Sequence, residues 1–461
     1  MKKLILITLL LHSAIYSAHA THLRAGQITV KQIPGRLTCA ITITVFTNTK
    51  NTTVLFGGEQ DELNFGDGSP ITLVPETYNT IRTDLNPDGS LAMASYTTYH
   101  TYSTPGKYLI SYREPNRNEG IINMDNSVNT TFYIETWITL TLDGTGYQTP
   151  TLLMDRPVLL TNAGFNYSES LACSDPNNYQ LYYTLATPRR DREMLVENYI
   201  LPENVSIDPV SGLLTWDGKF KGANTVGEYA FAVKIYQVKD GEIIGYMLRD
   251  FQVILTADMT EQPTLVGNAQ DSKSVFVADG TTTRFRVAAG SSEAKKIILQ
   301  VKSELATFEN NFTYTIEDST HNAVNYKVAK ISITNTDAIV RNTPYQIIVR
   351  GIFDNKVTKD LAYVIATKDI DFETDIPVGT EDNHNLPGIV LTPNPVKNHL
   401  QIQNDTNTST TIRIHDLTGK LWHQQTIRTT TSINLTQLPP GLYICILTQA
   451  TKLTTYKIIK E

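Results

Sequence analysis

The chain has 461 residues, a formal charge of −7 and only 18% charged side chains. At roughly 100–150 residues per domain, that length predicts three or four domains. A mildly acidic chain argues against nucleic acid and against anionic membrane surfaces as partners, and the abundance of Thr, Tyr, Val and Ile favours strands over helices.

Met1-Lys2-Lys3 and the apolar run Leu4 to Leu11 read as a secretory leader, with Ala18-His19-Ala20 as its small-x-small cleavage site. The mature chain is then expected to begin at Thr21. Losing Lys2 and Lys3 with a leader that holds no acid takes the charge from −7 to −9. The leader's apolar core is too short to span a bilayer, and no later stretch reaches about 18 apolar residues, so no transmembrane segment is expected. Cys39, Cys173 and Cys445 fall in three different regions. Cys39 alternates in phase with Leu37, Ile41, Ile43 and Val45, and Cys445 lies within Leu442 to Leu447. Buried thiols are expected rather than a disulfide.

Residues 21–147 form the first unit. Leu37 to Thr47 alternates apolar residues with Thr, the pattern of a half-buried antiparallel strand. Asn64-Phe65-Gly66-Asp67-Gly68-Ser69 is a tight turn, and Pro105-Gly106 suits a type II turn ahead of Tyr108, Ile110 and Tyr112, which share one strand face. The FGDG turn, with Tyr99-His100-Thr101-Tyr102-Ser103-Thr104-Pro105-Gly106-Lys107-Tyr108, resembles the PKD domain, an immunoglobulin-like β-sandwich. Thr21 to Gly26, Arg113 to Asn118 and Phe132 to Thr136 resemble flanks found in surface and gliding-associated proteins of Bacteroidota. Asp67, near Glu59, Asp61 and Glu62, is a candidate ligand for a hard cation such as calcium. The alternative is that Asp67 bonds its own turn backbone. Tyr96, Tyr99, Tyr102, Tyr108 and Tyr112 could stack on sugars, or fill a core and its cross-strand pairs.

Residues 148–258 form the second unit. Asp175-Pro176-Asn177 leads into Leu181 to Leu185, and Leu201-Pro202 runs through Ser211-Gly212 to Leu213-Leu214-Thr215-Trp216. This order resembles the cadherin-like domain of the dystroglycan type. The first motif lacks that family's second Asp and its Gly, which counts against the calcium that related domains take there. Trp216 reads as a core anchor. Residues 259–374 hold seven short β-rich runs, Val275 to Val277, Phe285 to Val287, Ile297 to Val301, Phe312 to Ile316, Val328 to Ile333, Tyr345 to Val349 and Leu361 to Ile365. They predict a third immunoglobulin-like sandwich, with Lys295, Lys296, Lys356 and Lys359 as solvated edge charges. Residues 375–387 read as a linker.

Residues 388–461 predict a small β-domain. Pro393-Asn394-Pro395 punctuates a strand start, Asp416 to Lys420 is a hairpin turn with Gly419 free to take positive φ, and Pro440-Gly441 marks a second turn. These residues, with Tyr443 and the basic strand holding Lys457 and Lys460, resemble the type A sorting domain of the type IX secretion system of Bacteroidota. The resemblance implies recognition by the outer-membrane translocon and its sorting peptidase, release near the linker, and a place at the cell surface or in the medium. Pro393, Asn394, Pro395, Asp416, Gly419, Lys420, Gly441, Tyr443, Lys457 and Lys460 are its pattern residues.

No hydrolase elbow, zinc-protease helix or phosphate loop occurs, and the histidines lack metal spacing, although His415 and His423 flank a hairpin and could meet across it. The expected architecture is all-β: tandem immunoglobulin-like sandwiches followed by the sorting domain. The expected role is that of a surface adhesin, binding or spacer protein in attachment or gliding, neither an enzyme nor a cofactor protein. Polysaccharide binding is the alternative, and a glycan-active enzyme with its site in 259–374 is a second one.

Overall fold

Threonine and β-branched residues favour extended backbone, and strands dominate this chain. Among the described residues the only helical pieces are two 3-10 turns, Ser127–Asn129 and Glu304–Thr307. The computed structural model describes residues 23–48, 56–58, 60–76, 80–82, 91–154, 159–269, 274–322, 324–368, 389–393, 396–404, 408–416, 420–449 and 452–460. No helix among them is long and apolar enough to cross a membrane. The fold is all-β, with a small pair of sheets formed by residues 389–460.

In the first unit, Thr38–Asn48 lies between Leu23–Gln32 and Leu91–Thr101 in antiparallel register. Alternation sends Cys39, Ile41, Ile43 and Val45 into the core, where they meet Ile110, Tyr112, Ile134 and Ile138. The other parity carries Thr outward, and hydroxyls pair across strands at 2.8 Å in Thr42–Thr97 and Thr38–Thr101. All three thiols are free and buried, and desolvation pushes Cys39, Cys173 and Cys445 each up to about 12.

The strand Glu242–Thr256 ties the first two units together. One edge pairs along its length with Gly227–Lys239. The other edge is divided: Tyr246 and Met247 face Trp137 and Thr136, Asp250 and Phe251 face Gly26 and Ala25, and Val253 to Thr256 run parallel to Leu159–Asn162. A 14-stranded sheet therefore runs through both units. The second core gathers on Trp216, 1% exposed, whose ring meets Tyr229 and Phe231 edge-on while its Nε1 donates to Lys219 O at 2.9 Å.

Charges are buried where the units meet. Arg117 (0% exposed) grips Asp250 (1%) in a fork, Nη1 to Oδ1 at 2.9 Å and Nη2 to Oδ2 at 2.7 Å. Arg24 pairs with Glu228, which also accepts from Asn118 Nδ2 at 2.6 Å. Glu135 accepts from Tyr246 at 2.7 Å and pairs with Arg189 at 2.9 Å. The three flanking motifs around Arg24, Arg117 and Glu135 thus converge on one joint.

The third unit is a sandwich of two four-stranded sheets around Phe285, Val287, Ile331, Ile347, Val349 and Tyr363. All seven expected runs lie at strands, and Thr264–Gly267 adds one that its four residues did not signal. Lys359 departs from expectation: it is half-buried, and desolvation lowers its pKa, because it shares the strand face of Val357 and Leu361, which turns toward the unit's own core. At this second joint Arg350 forks onto Asp360 with both bonds at 2.7 Å, and Asp360 Oδ2 also accepts from Ser170 N at 2.8 Å.

Candidate functional site

The small domain that ends in Lys452–Lys460 is built from two sheets. Ile389–Thr392, His399–Asn404 and Thr431–Asn434 form one; Leu421–Ile427, Thr410–Asp416, Gly441–Gln449 and Lys452–Lys460 form the other. His399–Asn404 alternates exposed and buried residues without a break, and Leu400 and Ile402 enter a core shared with Ile412, Ile414, Cys445, Leu447 and Ile458.

The pattern residues are distributed over this frame. Pro393 is exposed and follows a cis peptide from Thr392. Asp416 ends its strand opposite Tyr443, and Lys457 pairs with Ile444. Lys460, 8% exposed, pairs with Gly441 and bridges in parallel to Val396, so the last strand is pinned beside the first turn. Asn394, Pro395 and Gly419 lie outside the described residues, as do Ala18, Ala20 and the linker 375–387.

Tyr443 is 4% exposed, and its hydroxyl donates to Pro439 O at 2.8 Å, fixing the turn at Pro440-Gly441. Its ring meets Trp422 edge-on at 6.4 Å, and Lys420 Nζ lies 4.1 Å from the centre of the Trp422 ring. Lys420, Trp422 and Tyr443 therefore form one connected stack that runs from the exposed Lys420 to the buried Tyr443 ring. Trp422 was absent from the sequence pattern; a Trp two residues past the Gly-Lys of a hairpin was the available signal. His415 and His423 do not face each other. A register shift pairs His415 with Leu421 and Ile414 with His423, whose Nε2 instead lies 3.3 Å from Gln425 Oε1.

In the first unit, Asp67 is committed to its turn and to a histidine. Oδ1 accepts from Ser69 N at 3.0 Å and Ser69 Oγ at 2.6 Å, and Oδ2 lies 2.7 Å from His100 Nε2. His100 stacks on Phe65 with ring centres 4.0 Å apart. Burial pushes the Asp67 carboxyl up, but the bonds from Ser69 and His100 outweigh it and hold the group at about 2. Its suggested co-ligands are occupied elsewhere: Glu62 pairs with Arg113 at 3.2 Å, and buried Asp61 is pushed up to about 7 by desolvation. Glu59 lies outside the described residues. Among the described residues no three His, Cys, Asp or Glu side chains gather as a metal-binding set. Asp175 is held by Asn177 N at 2.7 Å and Gln237 Nε2 at 2.6 Å.

The tyrosine group divides by strand parity. Tyr102 and Tyr112 are core residues, Tyr96 and Tyr108 pack against that core, and Tyr99 stands 68% exposed.

Residues 391–461 match the family model described as Secretion system C-terminal sorting domain. No curated protein matches the chain at a significant level. The small domain with Tyr443 and Lys460 at its turns is therefore a type IX sorting domain, through which the chain engages the secretion machinery and crosses the outer membrane to the surface or the medium.

Proposed function

We propose that this protein is a non-enzymatic surface adhesin that also acts as a stiff spacer, delivered by its sorting domain through the outer-membrane translocon and trimmed by the associated peptidase. The cargo is read as a PKD-like sandwich, a dystroglycan-type cadherin-like sandwich and a third immunoglobulin-like sandwich. One observation carries the reading: a shared sheet and the buried Arg117–Asp250 fork join the first two units, and Asp360 of the third unit, held by Arg350, accepts from Ser170 N of the second. Inter-domain motion is the default where interfaces are small and polar. A strand common to two sandwiches removes that freedom, which suits a protein that must hold a binding surface away from the cell.

Polysaccharide capture is the second reading. It is favoured by Tyr99, exposed on a strand whose neighbouring Thr97 and Thr101 hydroxyls pair with Thr42 and Thr38. A tyrosine ring offers an apolar face to a sugar ring, and the hydroxyl rows offer donors and acceptors. Binding of the Thr21–Thr374 cargo to immobilised polysaccharides and to surface-protein extracts, with and without calcium, separates the two. The adhesin reading expects saturable protein binding that survives chelator and ignores free sugar. Binding competed by one oligosaccharide and lost in Tyr99→Ala would replace it with the polysaccharide reading.

A further inference from the structure

In the third unit, Phe312–His321 ends a four-stranded sheet and pairs with Val324–Thr334 alone, without a bulge over its 10 residues. Its sequence alternates Phe312, Tyr314 and Ile316 with Thr313, Thr315 and Glu317, the pattern of a strand with one covered face. Phe312 reaches the core, but every residue from Thr313 to His321 is exposed, with Tyr314 at 44% and Ile316 at 39%. His321 pairs with Val324 across a two-residue loop. No ladder bond fits inside so short a loop, so His321 exchanges both backbone bonds with Val324. Alternation then turns the N–H and C=O of Tyr314, Ile316 and Asp318 away from the sheet. These groups have no backbone partner among the described residues. The sandwich's other edges are blunted: Thr264–Gly267 and Ser274–Phe276 are short, and Ile297–Ser303 carries Lys302 and follows Lys295 and Lys296. Phe312–His321 holds neither proline nor lysine, and its two acids are neutralised from the neighbouring strand, Glu317 by Lys330 and Asp318 by Lys327.

We propose that this edge is a self-association surface, on which the same strand of a second copy of the chain pairs antiparallel, so that one sheet runs through both molecules. A two-fold axis through Thr315 lets Tyr314 and Ile316 of each copy exchange backbone bonds with Ile316 and Tyr314 of the other. The same pairs meet side by side on the apolar face and cover what the facing sheet leaves open. Thr315 then faces Thr315, a pairing the chain already makes within itself, with hydroxyls 2.9 Å apart in Thr282–Thr334 and 2.8 Å apart in Thr42–Thr97. Charge selects this register. It sends Glu317 and Asp318 of the two copies to opposite ends of the pairing, whereas an axis at either acid sets like charges face to face and an axis at Ile316 sets Tyr314 against Asp318. A contact between two strands buries little area, so the association is weak in solution and gains where many copies share one surface. The inference is independent of both the adhesin and the polysaccharide readings.

The experiment is disulfide trapping of the full secreted chain with single cysteines placed on this strand; Cys39, Cys173 and Cys445 are buried and do not compete. Opposed residues of a non-hydrogen-bonded antiparallel pair stand about 4.5 Å apart at Cα, within reach of a disulfide. Under mild oxidation Thr315→Cys is expected to give a covalent dimer by itself. Thr313→Cys and Glu317→Cys, which face each other across the axis, should cross-link about tenfold faster when mixed than either does alone. Adding Ile316→Lys to Thr315→Cys guards the edge and should slow trapping about tenfold at an unchanged melting temperature. A Thr315→Cys chain that stays monomeric, equal trapping by Thr313→Cys alone and Thr315→Cys alone, or trapping that survives Ile316→Lys in a folded chain would each overturn the proposal. The comparison among the three cysteine positions carries the test by itself if the lysine variant fails to fold.

Discussion

Replacing Asp250 with Ala strands the Arg117 guanidinium inside the first joint. It keeps hydrogen bonds to Thr131 O at 3.3 Å and Arg189 O at 3.1 Å, and its place 5.0 Å from the Phe132 ring centre, but loses its counter-charge. Removing one partner of a buried pair costs about 3–5 kcal/mol, which at about 1.4 kcal/mol per decade lowers the folded population by roughly two to three and a half powers of ten. The pair itself is no large net gain. Burial raises the Asp250 pKa, and Arg117 only partly opposes that. Arg117→Met combined with Asp250→Leu should therefore recover most of the loss. The assay is urea unfolding of chains that keep only Trp137, in the first unit, or only Trp216, in the second. Since Glu242–Thr256 belongs to both units, both midpoints should fall together in Asp250→Ala. A Trp216 midpoint that moves while Trp137 stays, or a loss below about 1 kcal/mol, would refute the reasoning.

The turn carboxylate offers a second test. Asp67 is held at about 2, so its contribution is present above its unfolded value near 4 and fades as pH falls toward 2. Asp67→Asn should cost less than about 1 kcal/mol at pH 7, because the group is exposed and screened, and should flatten the acid limb of the first unit between about 4 and 2; unchanged acid melting would contradict this. The opposite sign holds for three buried carboxyls, Asp61 and Glu169 at about 7 and Asp175 at about 6, each pushed up first by desolvation. The folded chain keeps these protons while the unfolded chain releases them near 4. Their stabilisation is thus full below about 4 and is lost as pH rises through about 6 to 7. The chain should melt higher at pH 5 than at pH 7.5, with a smaller difference in Asp61→Asn; a higher melting temperature at pH 7.5 would sink that account.

Alternation made most of the fold legible. The phase of Cys39 with Ile41, Ile43 and Val45 placed a core face, and the seven runs of the third unit placed strands, because both signals are local. The joints were not legible. Arg24 and Glu228 are 204 residues apart and Arg117 and Asp250 are 133 apart, so nothing local distinguishes these charges from solvated ones. Alternation tells which residues share a face, but not that a second unit covers it. Lys234 shows the same limit, 8% exposed in a strand buried on both faces, with Nζ 4.2 Å from the Tyr246 ring centre. In the sorting domain the Pro-Gly turn and Tyr443 were readable as punctuation before an apolar strand. The Trp422 contact was not, because it depends on the cross-strand arrangement of the sheet. His415 and His423 do not meet across their hairpin because of one register shift, which no residue pattern announced, and His423 has the exposed polar partner Gln425 instead.

Export through the C-terminal domain is tested most directly by the location of a chain lacking Leu386 to Glu461 in cells with a working type IX system. Protease accessibility and fractionation should find the truncated, folded cargo retained in the periplasm while the full chain reaches the surface or the medium. Normal surface display of the truncated chain would contradict the account.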